Sequence, residues 1–445
     1  MTDLQVIVTP IIFAGVILCI AFSVLDIVLA AFLGVSTMLL FGVFTSQELL
    51  NAVQTAGGPI SLLFGGMVVA RTLVPTGVFD LLGTQFLKAT GGSGKRFLLG
   101  IVIMTAPVCA FLPNATVVIL LAPVIIRAAK VLNIDYVAPV ILTAIVSNSA
   151  GLLTLVGDPA TFLVGSSIGM SFGEYLRKVS LGGLLSVLVI IPVLPWLMKD
   201  IWQTKRTLPA DLPPPRLERP LFCVLDLLVL LVMVLLFLVG EKMPAPLLPP
   251  SVAIVGASLA LLVIYGVKVE PIDIVLQDVD WKTLLFLMCM FLMVEAITRT
   301  GILQTVSQGM YGWFGTQLLM AAMVMLVGVA LASGFLANIP VVAAMLLVVK
   351  GYMVAAEFVP ELALGRAFTA WPALTLPVFV GMMFGGTLGG NATLIGASAN
   401  VVGAGICAAH GRPVSFGTFA RYGVPLTAVQ LIFSVIYVLI LAWLI

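Results

Sequence analysis

The chain has 445 residues, of which 61% are hydrophobic and 9% are charged, and its formal net charge is +2. A soluble domain carries about 25% charged residues, so this composition excludes an ordinary water-soluble fold. The nearly balanced charge gives no indication of a nucleic-acid partner. We predict an all-α, multi-pass protein of the cell (inner or plasma) membrane, with the lipid bilayer as its surrounding.

The apolar segments of the first half, taken in chain order, predict five membrane spans. The N-terminal residues MTDLQVIVTP lack the basic region and cleavage site of a secretory signal, so we expect the first span itself to direct insertion. The hydrocarbon core to be crossed is about 30 Å thick. The predicted spans lie near residues 5–24, 26–44, 59–75, 136–165 and 178–198.

Residues 96–128 differ from these spans, because two apolar pieces flank the polar break FLPNAT at residues 111–116. Each piece has about fifteen residues, which is short for a full crossing. Irregular backbone at membrane depth survives only where it is buried in protein or lines a wet cavity. We therefore predict a re-entrant hairpin here.

A polar segment with three consecutive prolines, residues 199–220, divides the chain nearly in half. It is rich in basic residues, so the positive-inside rule places it in the cytoplasm. Other basic residues fall on the same side when the spans are counted, namely Lys88, Lys95, Arg96, Arg127, Lys130, Arg412 and Arg421. Arg177 and Lys178 fall on the opposite side. We expect a first membrane repeat over 1–198, a cytoplasmic linker over 199–220 and a second membrane repeat over 221–445.

The two halves carry the same motifs in the same order. The first half reads PTGVFDLL, FLPN and TLVGDPAT, and the second reads RTGILQTV, FLAN and TLIGASAN. Thirty-four positions separate Gly77 from Phe111, and thirty-four separate Gly301 from Phe335. Such a set indicates an internal duplication. Because each half has an odd number of spans, the second repeat is expected to be inverted, with its own hairpin and interrupted helix.

Polar residues concentrate at the breaks of both halves and in the glycine-rich segment GGTLGGNATLIGASANVVGAG at 385–405. Broken helices in inverted repeats expose helix termini and free carbonyls, which is typical of a transport site at the membrane midplane. The alternative for the glycines is helix packing, since Gly386 and Gly390 form a GxxxG pattern. The candidate substrate-binding residues all carry an amide or a hydroxyl: Asn114, Thr116, Ser147, Asn148, Ser149, Thr154, Asn338, Asn391, Thr393, Ser398 and Asn400.

Asp158 is the carboxylate at the break of the first repeat. Its counterpart in the second repeat is Ala397 or Ser398, so the fold of the repeat does not need the charge. An ionisable residue inside a span is a functional candidate by default. We therefore predict that Asp158 binds a proton or a cation.

Glu295 and Arg71 occupy matching positions, each six residues before the glycine of its repeat. They are further candidates for ion coupling and would then pair across the pseudo-two-fold axis. The alternative is that both lie near span ends and reach toward water. Asp26 and Asp226 lie at or near predicted helix ends, where a capping or solvated role is expected.

Cysteine and histidine usage argues against catalysis and bound metal. The five cysteines stand singly in apolar context, without a CxxC pair, so neither a disulfide framework nor a zinc site is expected. The single histidine, His410, lies in a loop, and no HExxH motif or serine–histidine pairing is present. We expect no enzyme activity and no cofactor, with H⁺ or Na⁺ as the coupling ion.

The motifs GGNATLIGASANVVGAG, TLVGDPA and FLPNATVVILLAPV closely resemble those of the arsenite permease and pink-eyed-dilution (P protein) group. This group belongs to the ion transporter superfamily, which also holds sodium-coupled dicarboxylate and sulfate symporters. The resemblance covers nearly the whole chain and implies inverted repeats with re-entrant hairpins around a central site, a homodimer and an elevator movement. It places the following residues on motif positions: Asn114, Thr116, Asp158, Asn338, Asn391, Thr393, Ser398 and Asn400.

The chain departs from the family pattern at three positions. Pro113 and Ala337 stand where many relatives have Asp before the hairpin asparagine, and Thr161 replaces the asparagine of the familiar GDPPN. A sodium/proton exchanger is therefore less expected, and Asp158 is left as the plainest coupling residue.

Two transport functions fit these residues. The first is efflux of arsenite or antimonite by proton antiport, as in arsenic resistance, because the site motifs contain amides and hydroxyls without Lys or Arg. The second is sodium- or proton-coupled transport of a small anion, such as a di- or tricarboxylate or sulfate. Helix N-termini would hold that anion while Asp158 is protonated or cation-bound.

Overall fold

The computed structural model describes residues 2–21, 24–208, 217, 219–364 and 368–445, and these form helices joined by short loops. The predicted all-α class is confirmed. Eleven of the described helices are long and apolar enough to cross a membrane. Pro213–Pro215 and Arg216 of the predicted linker lie outside the described residues. The boundaries 1–198, 199–220 and 221–445 stay a prediction.

The first half contains twelve α-helices, several of them short. They are α1 (Asp3–Ala21), α2 (Ile27–Leu40), α3 (Ser46–Leu73), α4 (Val78–Thr90), α5 (Gly94–Cys109), α6 (Asn114–Val131), α7 (Val137–Ala150), α8 (Pro159–Ser167), α9 (Phe172–Lys178), α10 (Ser180–Leu188), α11 (Ile190–Leu197) and α12 (Lys199–Trp202). The third span was predicted over 59–75, but α3 begins at Ser46 and continues through Pro59.

The second half contains the remaining ten α-helices among the described residues. They are α13 (Pro220–Val239), α14 (Pro249–Val267), α15 (Ile272–Gln277), α16 (Trp281–Thr298), α17 (Ile302–Phe314), α18 (Leu318–Phe335), α19 (Asn338–Ala355), α20 (Leu376–Gly389), α21 (Ser398–Ala409) and α22 (Phe416–Leu444). Helices α6, α18 and α19, which flank the two polar breaks FLPN and FLAN, each have 18 residues. The estimate of about fifteen residues per piece was therefore too short for these three. Length alone does not decide between a crossing and a re-entrant hairpin, which stays a prediction.

The repeated motifs adopt the same local backbone in both halves. Gly77 and Gly301 each have φ of 79°, a left-handed conformation that favours glycine, and each begins an amphipathic helix. At the two hairpin tips, Pro113 has φ −57° and ψ 137°, and Ala337 has φ −56° and ψ 137°. The ordered motifs thus correspond in structure as well as in sequence. Inversion of one half relative to the other stays a prediction.

Helices α18 and α20 pack closely through a stripe of glycines. An ideal Cβ at Gly381 would lie 2.7 Å from the Ala322 carbonyl oxygen, and Cβ atoms at Gly385 and Gly389 would overlap the backbone of Leu326 and Ala330. Helix packing by glycines was therefore predicted correctly, but the glycines that pack on α18 are Gly381, Gly385 and Gly389 rather than Gly386 and Gly390. A Cβ at Gly386 would meet Val342 of α19 instead, and one at Gly390 would meet the Gly396 carbonyl.

Gly385→Ala is expected to lower the free energy of unfolding by about 1–3 kcal/mol, because the added methyl group meets α18 backbone that cannot move aside. Denaturant unfolding in detergent measures the change. Gly405→Ala in α21 is the matched control, since no atom lies within 4 Å of its ideal Cβ. Equal stability of the two variants would contradict the assigned contact.

Candidate functional site

Two interrupted helices form the centre of the molecule. Helix α7 continues as a 3-10 turn at Gly151–Leu153, the chain is extended at Thr154, and α8 begins at Pro159. In the second half, α20 continues as a turn at Gly390–Ala392, the chain is extended at Thr393, and α21 begins at Ser398. The glycine-rich segment is thus a helix break, as predicted.

The threonine of each break holds the neighbouring hairpin. Thr154 Oγ1 donates a hydrogen bond to the Ala110 carbonyl, and Thr393 Oγ1 donates to the Gly334 carbonyl. Ala110 and Gly334 lie just before the two hairpin tips. Both predicted residues therefore fasten a hairpin to the interrupted helix of the same half.

An amide network joins the two halves where the broken helices cross. Asn148 Nδ2 donates to Asn391 Oδ1 at 3.1 Å and to Asn400 Oδ1 at 3.0 Å. Asn391 Nδ2 donates to Ser149 Oγ and to Gln430 Oε1, both at 3.0 Å. Asn400 Nδ2 donates to the carbonyls of Gly390 and Thr393, both at 2.8 Å. We call Asn148, Ser149, Asn391, Asn400 and Gln430 the amide network.

The amide network is closed in this conformation. All five side chains are buried, and their amide groups bind one another or backbone carbonyls. A buried amide without a partner is costly, so these contacts stabilise the crossing of the halves. The predicted Asn148, Ser149, Asn391 and Asn400 are brought together and bind one another in this conformation. Gln430 of α22 was missed, although a lone glutamine in the apolar run PLTAVQLIF was a signal for it.

A second polar group surrounds Asp158, whose side chain is 3% exposed. Asp158 Oδ1 accepts a hydrogen bond from Asn114 Nδ2 at 3.3 Å, and the side chains of Asn338 and Thr387 face the carboxyl group. We call Asn114, Asp158, Thr161, Asn338 and Thr387 the Asp158 cluster. It combines both hairpin tips with both interrupted helices.

Several oxygens of the Asp158 cluster are buried without a hydrogen-bond partner. These atoms are Asn114 Oδ1, Asp158 Oδ2, Thr161 Oγ1 and Thr387 Oγ1. Buried polar atoms are normally satisfied, and unpartnered ones point to a bound ion, water or proton. Carboxylate, amide and hydroxyl oxygens suit a hard cation or a proton.

The Asp158 cluster and the amide network occupy equivalent places in the two repeats. Thr161 is the third residue after Asp158, and Asn400 is the third residue after Ala397, so the two hold equivalent positions. Thr387 and Asn148 are also equivalent, since each lies six residues before the threonine of its break. The amides reach one another across the crossing, whereas the Thr387 side chain faces the Asp158 carboxyl group. The asymmetry predicted from Asp158 thus extends to its neighbours.

Besides Thr154 and Thr393, three predicted binding residues belong to neither group. Ser147 donates to the Ala144 carbonyl of its own helix at 2.8 Å. Thr116 is half-buried in the first turn of α6, and Ser398 is exposed at the start of α21. Their assignment to substrate binding has no support from these contacts.

Arg71 has other partners than the one predicted. Its guanidinium donates to Glu270 through two nitrogens, at 2.7 and 3.2 Å, and to Asp278 at 2.6 Å. Because all three nitrogens donate to these two carboxylates, the charge of Arg71 is neutralised by Glu270 and Asp278 and not by Glu295. Because α15 lies between Glu270 and Asp278, the ion pairs fasten α3 to this short helix.

The two remaining aspartates behave differently from each other. Asp26 accepts a hydrogen bond from the Val28 N–H at 2.9 Å and lies 3.2 Å from Lys282 Nζ, so its capping role is confirmed. Asp226 was expected at a solvated helix end, and that expectation is wrong. It is the seventh residue of α13 and only 1% exposed, because the helix begins at Pro220 and packs this face inward.

A cavity of about 640 Å³ lies beside the interrupted helix of the first half. Leu155 and Phe162, on either side of Asp158 in sequence, line it together with Ser166, Gln54, Glu241 and Lys350. Lys350 is 5% exposed, and its Nζ lies 5.6 Å from the centre of the Trp371 ring. Lys350 was missed, although a lysine within the apolar run VVAAMLLVVKGYMVA was a visible signal.

Comparison with known proteins gives the following similarities. A family model described as citrate transporter (CitMHS) matches residues 17–371. An uncharacterized transporter of Synechocystis sp. is 42% identical over 434 residues, covering 97% of this chain and 96% of that protein. The P protein of Homo sapiens is 28% identical, covering 98% of this chain and 60% of that protein. This match confirms the resemblance carried by the GNATLIGASANV motif.

The crystal structure of the Alcanivorax borkumensis YdaH transporter, described as having an unusual topology, is similar in fold. Its TM-score is 0.57 at 11% identity, over 89% of this chain and 86% of that one. At this identity the likeness extends to the fold alone.

Proposed function

Because the chain belongs to the citrate transporter (CitMHS) family, we propose that this multi-pass membrane transporter carries a small anion of the di- or tricarboxylate class. The observation that carries this choice is Lys350, a buried cation lining a large cavity. The sequence favoured arsenite because its polar motifs contain no Lys or Arg. Lys350 lies outside those motifs and reverses the preference.

A multiply charged anion needs positive charge at a buried site, since an unpaired charge in a low-dielectric interior is costly. Lys350 brings a positive charge to a cavity lining that also contains Glu241, and its ammonium group lies over the Trp371 ring. Ligand pockets typically measure about 300–1,000 Å³, a range that includes this cavity. Ser166 and Gln54 add hydrogen-bonding groups to its lining.

Coupling is assigned in this proposal to the Asp158 cluster. A proton or Na⁺ there would neutralise Asp158, whose charge otherwise repels an anion approaching the same interrupted helix. Binding of the ion and of the anion would then favour each other, which is the basis of coupled transport. Movement of the hairpins as an elevator within a homodimer belongs to the same proposal, which includes no enzymatic step.

Efflux of arsenite or antimonite by proton antiport is the second candidate. It is favoured by the side chains of the Asp158 cluster, which are amides, hydroxyls and one carboxylate. A neutral metalloid hydroxide bound there would need no lysine.

Flux into proteoliposomes distinguishes these substrates. The purified protein is assayed with citrate, sulfate or arsenite, each under an imposed proton or sodium gradient. We expect citrate flux that depends on one of the two gradients. Arsenite flux under a proton gradient, with no carboxylate flux under either gradient, would overturn the first choice in favour of the second.

Lys350→Gln is expected to raise KM for the anion by roughly 10- to 100-fold, because a hydrogen bond to a charged group contributes about 1.5–3 kcal/mol. Initial-rate flux at several anion concentrations measures the change. Lys88→Gln, which removes an exposed lysine of α4, is the matched control and should leave KM unchanged. If both variants bind the anion like the parent protein, Lys350 is not the anion site.

A further inference from the structure

Asp226 is a buried carboxyl group that neither the amide network nor the Asp158 cluster uses. It lies about 10 Å from the start of α13, a helix of 20 residues whose other side chains inside the span are apolar. Its residue is 1% exposed, and neither carboxyl oxygen has a hydrogen-bond partner. An aspartate in this position destabilises an apolar span, so it is a candidate for a functional role.

The side chain that faces Asp226 is Thr72 of α3, whose hydroxyl donates to the Val69 carbonyl at 2.9 Å. Helix α13 packs against α3, α14, α9 and the 3-10 turns at Val74–Thr76 and Gly240–Lys242. Helix α14 and the turn at Val74–Thr76 contain no charged residue.

Among the described side chains of the other packed elements, the charged groups bind other partners or lie at the far end. Arg71 of α3 binds Glu270 and Asp278. Lys178 of α9 lies 2.5 Å from Glu174, and Arg177 donates to the Gly173 carbonyl. Glu241 accepts from the Phe172 N–H, and Lys242 follows it beyond the C-terminal end of α13. Asp226 therefore has no charged partner among these described side chains.

An ionised carboxylate without a cation or donor is not tolerated in such a place, whereas the neutral acid is. Asp226 caps no helix and forms no ion pair among these described side chains. A carboxyl group at this position is neutral when it is buried and ionises when water reaches it.

We propose that Asp226 is a second proton-binding site, separate from the Asp158 cluster. Its carboxylate takes a proton from hydronium, leaving water, when the contact between α13 and α3 admits solvent. It holds that proton as the neutral acid when the contact is closed, as it is in this conformation. Reopening toward the other side of the membrane returns the proton to water there, so Asp226 moves one proton across the membrane for each cycle of the contact.

Infrared spectroscopy tests the protonation state without any substrate. Asp158→Asn is the background, so that the other buried carboxyl does not contribute. We expect a protonated-carboxyl C=O band near neutral pH that disappears on adding Asp226→Asn. Asp135→Asn, which removes an exposed carboxylate paired with Arg412 at 2.7 Å, is the control and should leave the band. A spectrum unchanged by Asp226→Asn, or without the band in the background, would overturn the assignment.

Asp226→Leu is the second variant, to be used if Asp226→Asn folds poorly, because an apolar residue suits this span. It should remove the same infrared band. In proteoliposomes of otherwise unchanged protein, Asp226→Asn should lower the number of protons moved per substrate by one. An unchanged proton count would overturn coupling through Asp226. The infrared result stands whichever substrate is carried, so its failure is distinct from failure of the proposed function.

Discussion

Asp158→Asn is expected to abolish the dependence of substrate flux on the ion gradient while leaving the protein folded. The amide keeps the size of the side chain and can still contact Asn114, so the break between the 3-10 turn and α8 is preserved. It carries no charge to attract a cation and does not exchange a proton. Coupling between two sites is typically about 1–3 kcal/mol, so gradient-driven flux should fall roughly 5- to 150-fold.

Counterflow separates this loss of coupling from a loss of binding. Exchange of labelled for unlabelled substrate at equal concentrations needs no gradient, and we expect Asp158→Asn to retain part of it. Asp135→Asn makes the same chemical change at an exposed site and should transport like the parent protein. Full flux that still follows the gradient in Asp158→Asn would remove Asp158 from the coupling mechanism.

A second large effect is expected on stability rather than on transport. Asn391→Ala removes a side chain that bonds to Asn148, Ser149 and Gln430. Gln430 Oε1 loses its donor, and Asn148 loses one of two acceptors in a place that water does not reach. Each buried polar group left unpaired costs about 1–3 kcal/mol, so the free energy of unfolding should fall by about 3 kcal/mol.

Denaturant unfolding in detergent measures this loss against a matched control. Asn51→Ala also truncates an asparagine, but its amide oxygen accepts an exposed hydrogen bond from Gln47 and lies outside the network. We expect it to change stability by less than about 0.5 kcal/mol. If Asn391→Ala is as stable as the control but raises KM for substrate, Asn391 contacts substrate rather than the other half of the protein.

The predicted asparagines divide according to what each side chain contacts. Asn114 and Asn338 lie at the hairpin tips beside Asp158, as expected of residues at corresponding breaks. Asn148 and Asn400 also lie at breaks, but their amides meet and close a network. The motif pattern marks both pairs equally, because it records where a helix is interrupted and not what each side chain touches.

Lys350 and Gln430 escaped prediction for another reason. Each is a single polar residue inside an apolar helix, away from every repeated motif. Their importance follows from the elements packed against them: Gln430 meets Ser149, and Lys350 lines a cavity shared with α3 and α8. Arg71 shows the same limit, since its partners Glu270 and Asp278 follow it by about two hundred positions.

The sequence by itself determined the membrane class, the helix breaks and the equivalence of the two halves. These depend on local chemistry, since apolar runs form spans, and Gly, Pro, Asn and Thr interrupt helices wherever they cluster. Only the tertiary structure decided which polar groups satisfy one another and which stay open. A hydrogen bond is formed only within about 3 Å, and the bond from Asn148 to Asn391 joins positions 243 residues apart. Contacts at this distance close the amide network, whereas Asn114 Oδ1 and Asp158 Oδ2 of the Asp158 cluster have no hydrogen-bond partner.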